Sequence, residues 1–236
     1  MSVSELFSHW RKIKHPKQSW GLAWFLAYEF CKRYYSSHGI APFINEHEGL
    51  GYYGILIESI PCKINNTVKT YGRLTASGNV ENWSRGISGD HGLNTIAMCV
   101  NKVSTEEIVQ KAIAHIGIEP IPQISHYNCR HKRWGRSYEL CFEIAAIVAL
   151  RNESTRLKIW NHPYHTKRMI SDLDPNSDMK EHLGAFLFVG NGRELLLAGD
   201  GRLLDDSGQN VWHSFMNGYS STYLAELVEE RIGMTK

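Results

Sequence analysis

Two dipeptides, Asn191-Gly192 and Asp200-Gly201, narrow more than any other feature what this chain can fold into. Each lies between short apolar runs, and Asn-Gly and Asp-Gly are preferred in two-residue hairpin turns of type I′, whose central residues both need positive φ. HLGAFLFV, RELLLA and RLLDD therefore read as a three-stranded antiparallel meander. Ser221 to Ile232 then closes the chain as an amphipathic helix, with Tyr223, Leu224, Leu227 and Val228 facing inward. A second antiparallel pair is expected at GYYGILIESI and TVKTYGRLTAS, across a loop from Pro61 to Asn66.

Helical patterns bracket these hairpins. Ser4 to His15 reads as a short helix ended by Pro16, and Ser19 to about His38 as a longer one that Gly39 stops. Ser104 to Glu107 has the spacing of a capping box, opening a helix to Gly117 with Ile108, Ala112, Ile113 and Ile116 on one face. Ser137 to Arg151 is the most apolar helix in the sequence, so it belongs in the centre, covered all round. Residues 77–94 form the longest irregular stretch, rich in Gly, Asn and Ser. Helices around separate antiparallel regions predict an α+β fold rather than a wound parallel sheet. A length of 236 residues fits one domain, or two closely packed lobes at 1–117 and 118–236.

Composition sets outer limits on function. Apolar residues make up 42% and charged residues 21%, as in ordinary globular proteins. A net charge of +2 excludes strong attraction to nucleic acid by bulk charge, so any such site must be a local patch. Five cysteines, widely spaced and never arranged as C-x-x-C, suit reduced thiols in a cytoplasm. The first residues do not resemble a signal peptide, and no run reaches the roughly 18 apolar residues of a membrane span, so no membrane partner is expected. Nucleophile-elbow, Walker, Rossmann and kinase signatures are missing from the sequence.

Three groups of residues carry candidate chemistry. Arg130, His131, Lys132, Arg133, Trp134 and Arg136 form a basic tract, either a solvated loop before the buried helix or a site whose cations can neutralise phosphates while the Trp ring stacks on a base. Glu143, one turn after Glu139, falls within the apolar helix, where an unpaired carboxylate costs several kcal/mol. It needs a cation, a metal or a proton, as half of a buried ion pair or as a metal ligand or general acid/base. His126-x-x-Cys129-x-His131 and His162-x-x-His165 have ligand spacings used in zinc sites, although twelve histidines make chance clustering easy. Glu46, Glu48, Glu58 and Lys63 fit a restriction-type core poorly, because Glu58 to Lys63 is too long for its E-x-K spacing.

Gly51-Tyr52-Tyr53 and Thr70-Tyr71-Gly72 partly resemble the GIY-YIG nucleases. The resemblance implies paired tyrosines at Tyr53 and Tyr71, an arginine at Arg85 and a metal-binding carboxylate at Glu143, with a base-activated water attacking a phosphodiester. The chain departs from that pattern: both triplets lack Ile, the gap between strands is long, and extra residues follow Tyr71. The likeness spans at most about a third of the sequence and does not assign the chain to the family.

Together these features favour a small nuclease of the restriction or defence kind, dependent on Mg or Mn and acting on nucleic acid. The polar loop with Arg85, Asp90 and His91 adds candidate catalytic groups. A non-catalytic adaptor docking through its aromatics, meander and closing helix is the alternative. A zinc-dependent hydrolase using His126, Cys129, His162 and His165 is the third.

Overall fold

Antiparallel pairing between short apolar strands builds the two sheets found among the described residues of this α+β protein. A computed structural model describes residues 3–10, 19–38, 40–47, 52–59, 70–82, 92–117, 135–152, 157–160 and 185–234. The chain packs as two units, one of residues 7–129 and one of residues 130–236 together with 1–6.

In the first unit, strands β1 (Ile40–His47), β2 (Tyr52–Ser59), β3 (Thr70–Thr75) and β4 (Val80–Asn82) form an antiparallel sheet in that order. The pattern GYYGILIESI foretold β2, but β1 was not anticipated. Pro42 interrupts the run that becomes β1, and a strand tolerates Pro at a sheet edge, where one row of backbone groups needs no partner. Part of the stretch expected to be irregular is ordered. It holds β4, and Asn94 caps helix α3 (Thr95–Val100) through a side-chain bond from Ala97 N at 2.9 Å. Arg73 and Glu81 face each other across β3 and β4 and are joined twice, Nε to Oε2 at 2.9 Å and Nη2 to Oε1 at 2.8 Å.

Helix α2 (Trp20–His38) is capped by Ser19, whose hydroxyl accepts from Leu22 N at 3.0 Å. Its Leu22-to-Ala27 stretch is wholly buried, and Phe25 stacks on Phe7 of α1 (Val3–Trp10) with centroids 4.3 Å apart. Helix α4 (Thr105–Ile116) starts at the expected cap, Ser104 Oγ accepting from Glu107 N at 3.2 Å, and ends at left-handed Gly117. Glu107 itself pairs with Lys111 one turn on, at 2.8 Å.

The second unit is built around α5 (Gly135–Arg151), which is buried from Ser137 to Ala149 except at Glu139 and Glu143. Strands β5 (Lys158–Trp160), β6 (Ala185–Gly190), β7 (Arg193–Ala198) and β8 (Leu203–Leu204) form its sheet in sequence order. Rings of Tyr138, Phe142 and Phe186 join α5 to β6 with centroids 5.1–5.9 Å apart. The Cys141 thiol donates to Ala198 O on β7 at 3.2 Å.

The first meander turn forms as its dipeptide requires, with Asn191 at φ 46 and Gly192 at φ 76. The second departs from expectation, because Asp200 has no positive φ and only Gly201, at φ 93, is left-handed. Gly201 N bonds Ala198 O and Ala198 N bonds Arg202 O, both at 2.8 Å, so the connection is a three-residue loop ending in a left-handed Gly. The Asp200 carboxylate explains the preference: it accepts from Arg202 N at 3.1 Å and Nε at 2.8 Å, which fixes the loop locally.

Two helices follow, α6 (Val211–Met216) and α7 (Ser221–Arg231). On α7, Leu224, Ala225, Val228 and Glu229 are buried, whereas Tyr223, expected inward, points out. With about 100° between residues, Tyr223 lies on the side opposite the centre of that buried arc. Among the described residues, no helix is long and apolar enough to cross a membrane.

Candidate functional site

Polar ties between α5 and α7 set the geometry of the site. Ser221 Oγ donates to Glu143 Oε1 at 3.0 Å, which places this partly buried carboxylate beside the first turn of α7. A carboxylate there is favoured by the dipole of the helix start. Farther along, Arg151 reaches Glu229 at 3.1 Å and Glu226 at 3.2 Å, while Asn152 donates to Glu229 at 2.7 Å. Burial pushes the Glu229 carboxyl above the usual glutamate range, and Arg151 and then Asn152 pull it back. Arg136, Glu139 and Glu143 recur at helical spacing along α5, with Arg136 exposed and both acids partly buried.

The other distinctive surface lies where α6 passes into α7. Asn210 caps α6 by accepting from His213 N at 3.1 Å, and Ser220 caps α7 by accepting from Tyr223 N at 3.2 Å. A helix of only six residues has little face to bury, and Val211 is its buried residue. Phe215, Met216, Tyr219 and Tyr223 consequently remain 40–66% exposed. Trp212 stacks on Phe215 with centroids 6.0 Å apart, and Tyr219 on Tyr223 at 5.0 Å. Beyond Tyr223, the exposed residues Glu226 and Glu230 continue the same side of α7.

Sequence reasoning overlooked these aromatics as a group. A signal was present: Asn210 and Ser220 are both helix-capping residues, and the segment between them is too short to hide Trp212, Phe215, Met216 and Tyr219.

Of the residues singled out from sequence, Tyr53 lies in β2 opposite Glu46 of β1. Tyr71 lies in β3, where the register shifts opposite Ile57 and Glu58. Tyr53 and Ile57 are four residues apart along β2, roughly 13 Å of strand, so the ladder does not set the two tyrosines opposite each other. Both belong to the unit of residues 7–129, and Glu143 to the other. Arg85, His91, His126, Cys129, Arg130, His131, Lys132, Arg133, Trp134, His162 and His165 lie outside the described residues. Among the described residues, no three His, Cys, Asp or Glu side chains are grouped to hold a metal ion.

Comparison with protein-family models, with curated proteins and with solved structures gives no match for this chain.

Proposed function

We propose that the unit of residues 130–236 is a protein-binding module that docks a partner through the aromatic cluster of residues 212–223. The observation that carries this reading is the exposure of Phe215, Met216, Tyr219 and Tyr223 within one short segment. Scattered single apolar residues are ordinary on a surface, but contiguous aromatic patches mark interaction sites. Tyr and Trp supply large contact areas with few rotatable bonds, which is why they dominate the anchor positions of interfaces. A photo-crosslinking amino acid at Tyr219, with Asn191 as the control position, tests it in cells. A discrete adduct from position 219 that disappears with Phe215→Ser supports the module. Identical labelling from both positions removes it.

A metal-dependent nuclease is the second reading, favoured by the stripe Arg136, Glu139 and Glu143 on α5. Arg136 would meet phosphate, and the two carboxylates would hold Mg or Mn, which would stabilise developing charge on a phosphodiester. Incubation of purified protein with DNA and RNA in Mg²⁺ or Mn²⁺ tests this. Activity lost in Glu143→Gln supports it, and no cleavage by the wild type ends it.

A further inference from the structure

We infer that the segment docking on the aromatic cluster is cationic as well as apolar, a reading that rests on the protein-binding proposal above. The outward side of α7 is built from Tyr223, Glu226 and Glu230. Three and seven residues separate the two acids from Tyr223, so they lie about 60° and 20° around the helix from it. Along the axis they lie about 4.5 and 10.5 Å beyond it. The aromatic end of the surface thus runs directly into an acidic ridge. Arg151 meets Glu226 at 3.2 Å from the side of α5, but Glu226 stays exposed, as does Glu230.

Charge complementarity selects among occupants. A polynucleotide stacking its bases on Tyr219 and Tyr223 would bring phosphates against Glu226 and Glu230, where like charges repel. A second copy of the chain would present the same surface, whose exposed α7 residues are Tyr223, Glu226 and Glu230, and so would bring no cation to the ridge. A protein segment with an apolar anchor and Lys or Arg about 5–10 Å away meets both parts of the surface.

Fluorescence anisotropy with short helical leucine–lysine and leucine–glutamate peptides, and with oligothymidylate, tests this on the full chain. The net charge of +2 gives no bulk attraction for the cationic probe. Wild type is expected to bind the leucine–lysine peptide at least about tenfold more tightly than its acidic counterpart. Replacing both acids (Glu226→Gln, Glu230→Gln) should weaken that binding about fivefold and flatten its salt dependence, as exposed ion pairs do. Replacing both tyrosines (Tyr219→Ser, Tyr223→Ser) should abolish it. All four side chains are exposed, and matching melting curves verify that the variants fold. Unchanged binding in the double Gln variant overturns the charge inference, while loss in the double Ser variant keeps the docking surface. Unchanged binding in the double Ser variant overturns both. Oligothymidylate binding that needs the tyrosines, or a dimer that dissociates when they are replaced, overturns both as well.

Discussion

Ser221 and Glu143 are separated by 78 residues in sequence and joined by a 3.0 Å hydrogen bond, and the same 78-residue offset joins Arg151 to Glu229. Eight residues separate Glu143 from Arg151 on α5 and eight separate Ser221 from Glu229 on α7, so the two helices run parallel with matched rise. Each tie also suits its place: an acid lies at the start of α7 and a cation in the last turn of α5.

The Arg151–Glu229 tie is the stronger of Arg151's two ion pairs because it is the drier one: the Glu229 side chain is 11% exposed and that of Glu226 57%. Arg151→Met is predicted to leave Glu229 buried without its cation, costing about 3–5 kcal/mol, the usual result of removing one partner of a buried pair. Glu226→Gln should cost under about 1 kcal/mol. Urea unfolding of the two variants checks the ranking, and equal losses would show that burial does not set it.

Glu229 also predicts a pH dependence. Its carboxyl is raised in the folded protein, chiefly by burial, so folding favours the protonated form. The stability this contributes is full below the unfolded glutamate value of 4.5 and is lost as pH rises through the higher folded value. Wild type should therefore gain stability relative to Glu229→Gln as pH falls from neutral toward that range. Melting both proteins across it checks the sign, and a difference that stays flat would refute it.

The meander glycines should differ in sensitivity. Both have positive φ, but a Cβ at Gly192 meets nothing within 4 Å, whereas one at Gly201 meets Trp212 N and Asn210 Oδ1 at 2.7 Å. Gly192→Ala should cost about 1–2 kcal/mol of backbone strain alone. Gly201→Ala should add a clash of about 1–3 kcal/mol, since the α6 backbone cannot yield as a flexible side chain does. Chemical denaturation of the two variants measures the gap.

What the sequence made legible was set by short-range chemistry. The cap at Ser104, the apolar α5 and the Asn191-Gly192 turn each follow from a few neighbouring residues. Pro42 masked β1, and the carboxylate of Asp200 holds its own loop, so neither feature followed from a residue pattern alone. Tyr223 was misplaced because Tyr223, Leu224, Leu227 and Val228 share an arc of about 140°, and that arc alone does not fix which of its edges turns inward. Only packing, chiefly against α5, decides which side of α7 is buried, the side that carries Leu224, Ala225 and Val228. The tie between Glu143 and Ser221 was beyond reach for the same reason, since nothing near Glu143 in sequence indicates Ser221.

Glu143 separates a positioning role from a chemical one. The amide of Glu143→Gln keeps an oxygen able to accept from Ser221 Oγ but loses the charge at the start of α7. Charge at a helix terminus contributes about 0.3–1 kcal/mol, so Glu143→Gln should melt close to wild type. Glu143→Leu removes the acceptor as well and should cost about 1–2 kcal/mol more, and combining it with Ser221→Ala should add little further loss. These stabilities are expected whether or not the protein cleaves nucleic acid, so they calibrate the assay for activity. If wild type cleaves with Mg²⁺ or Mn²⁺ and the well-folded Gln variant does not, the carboxylate acts on the reaction itself. If the Gln variant keeps full activity per folded molecule, Glu143 only seats α7. Equal melting of the Leu and Gln variants would show that the hydrogen bond to Ser221 contributes nothing, and the positioning role would go.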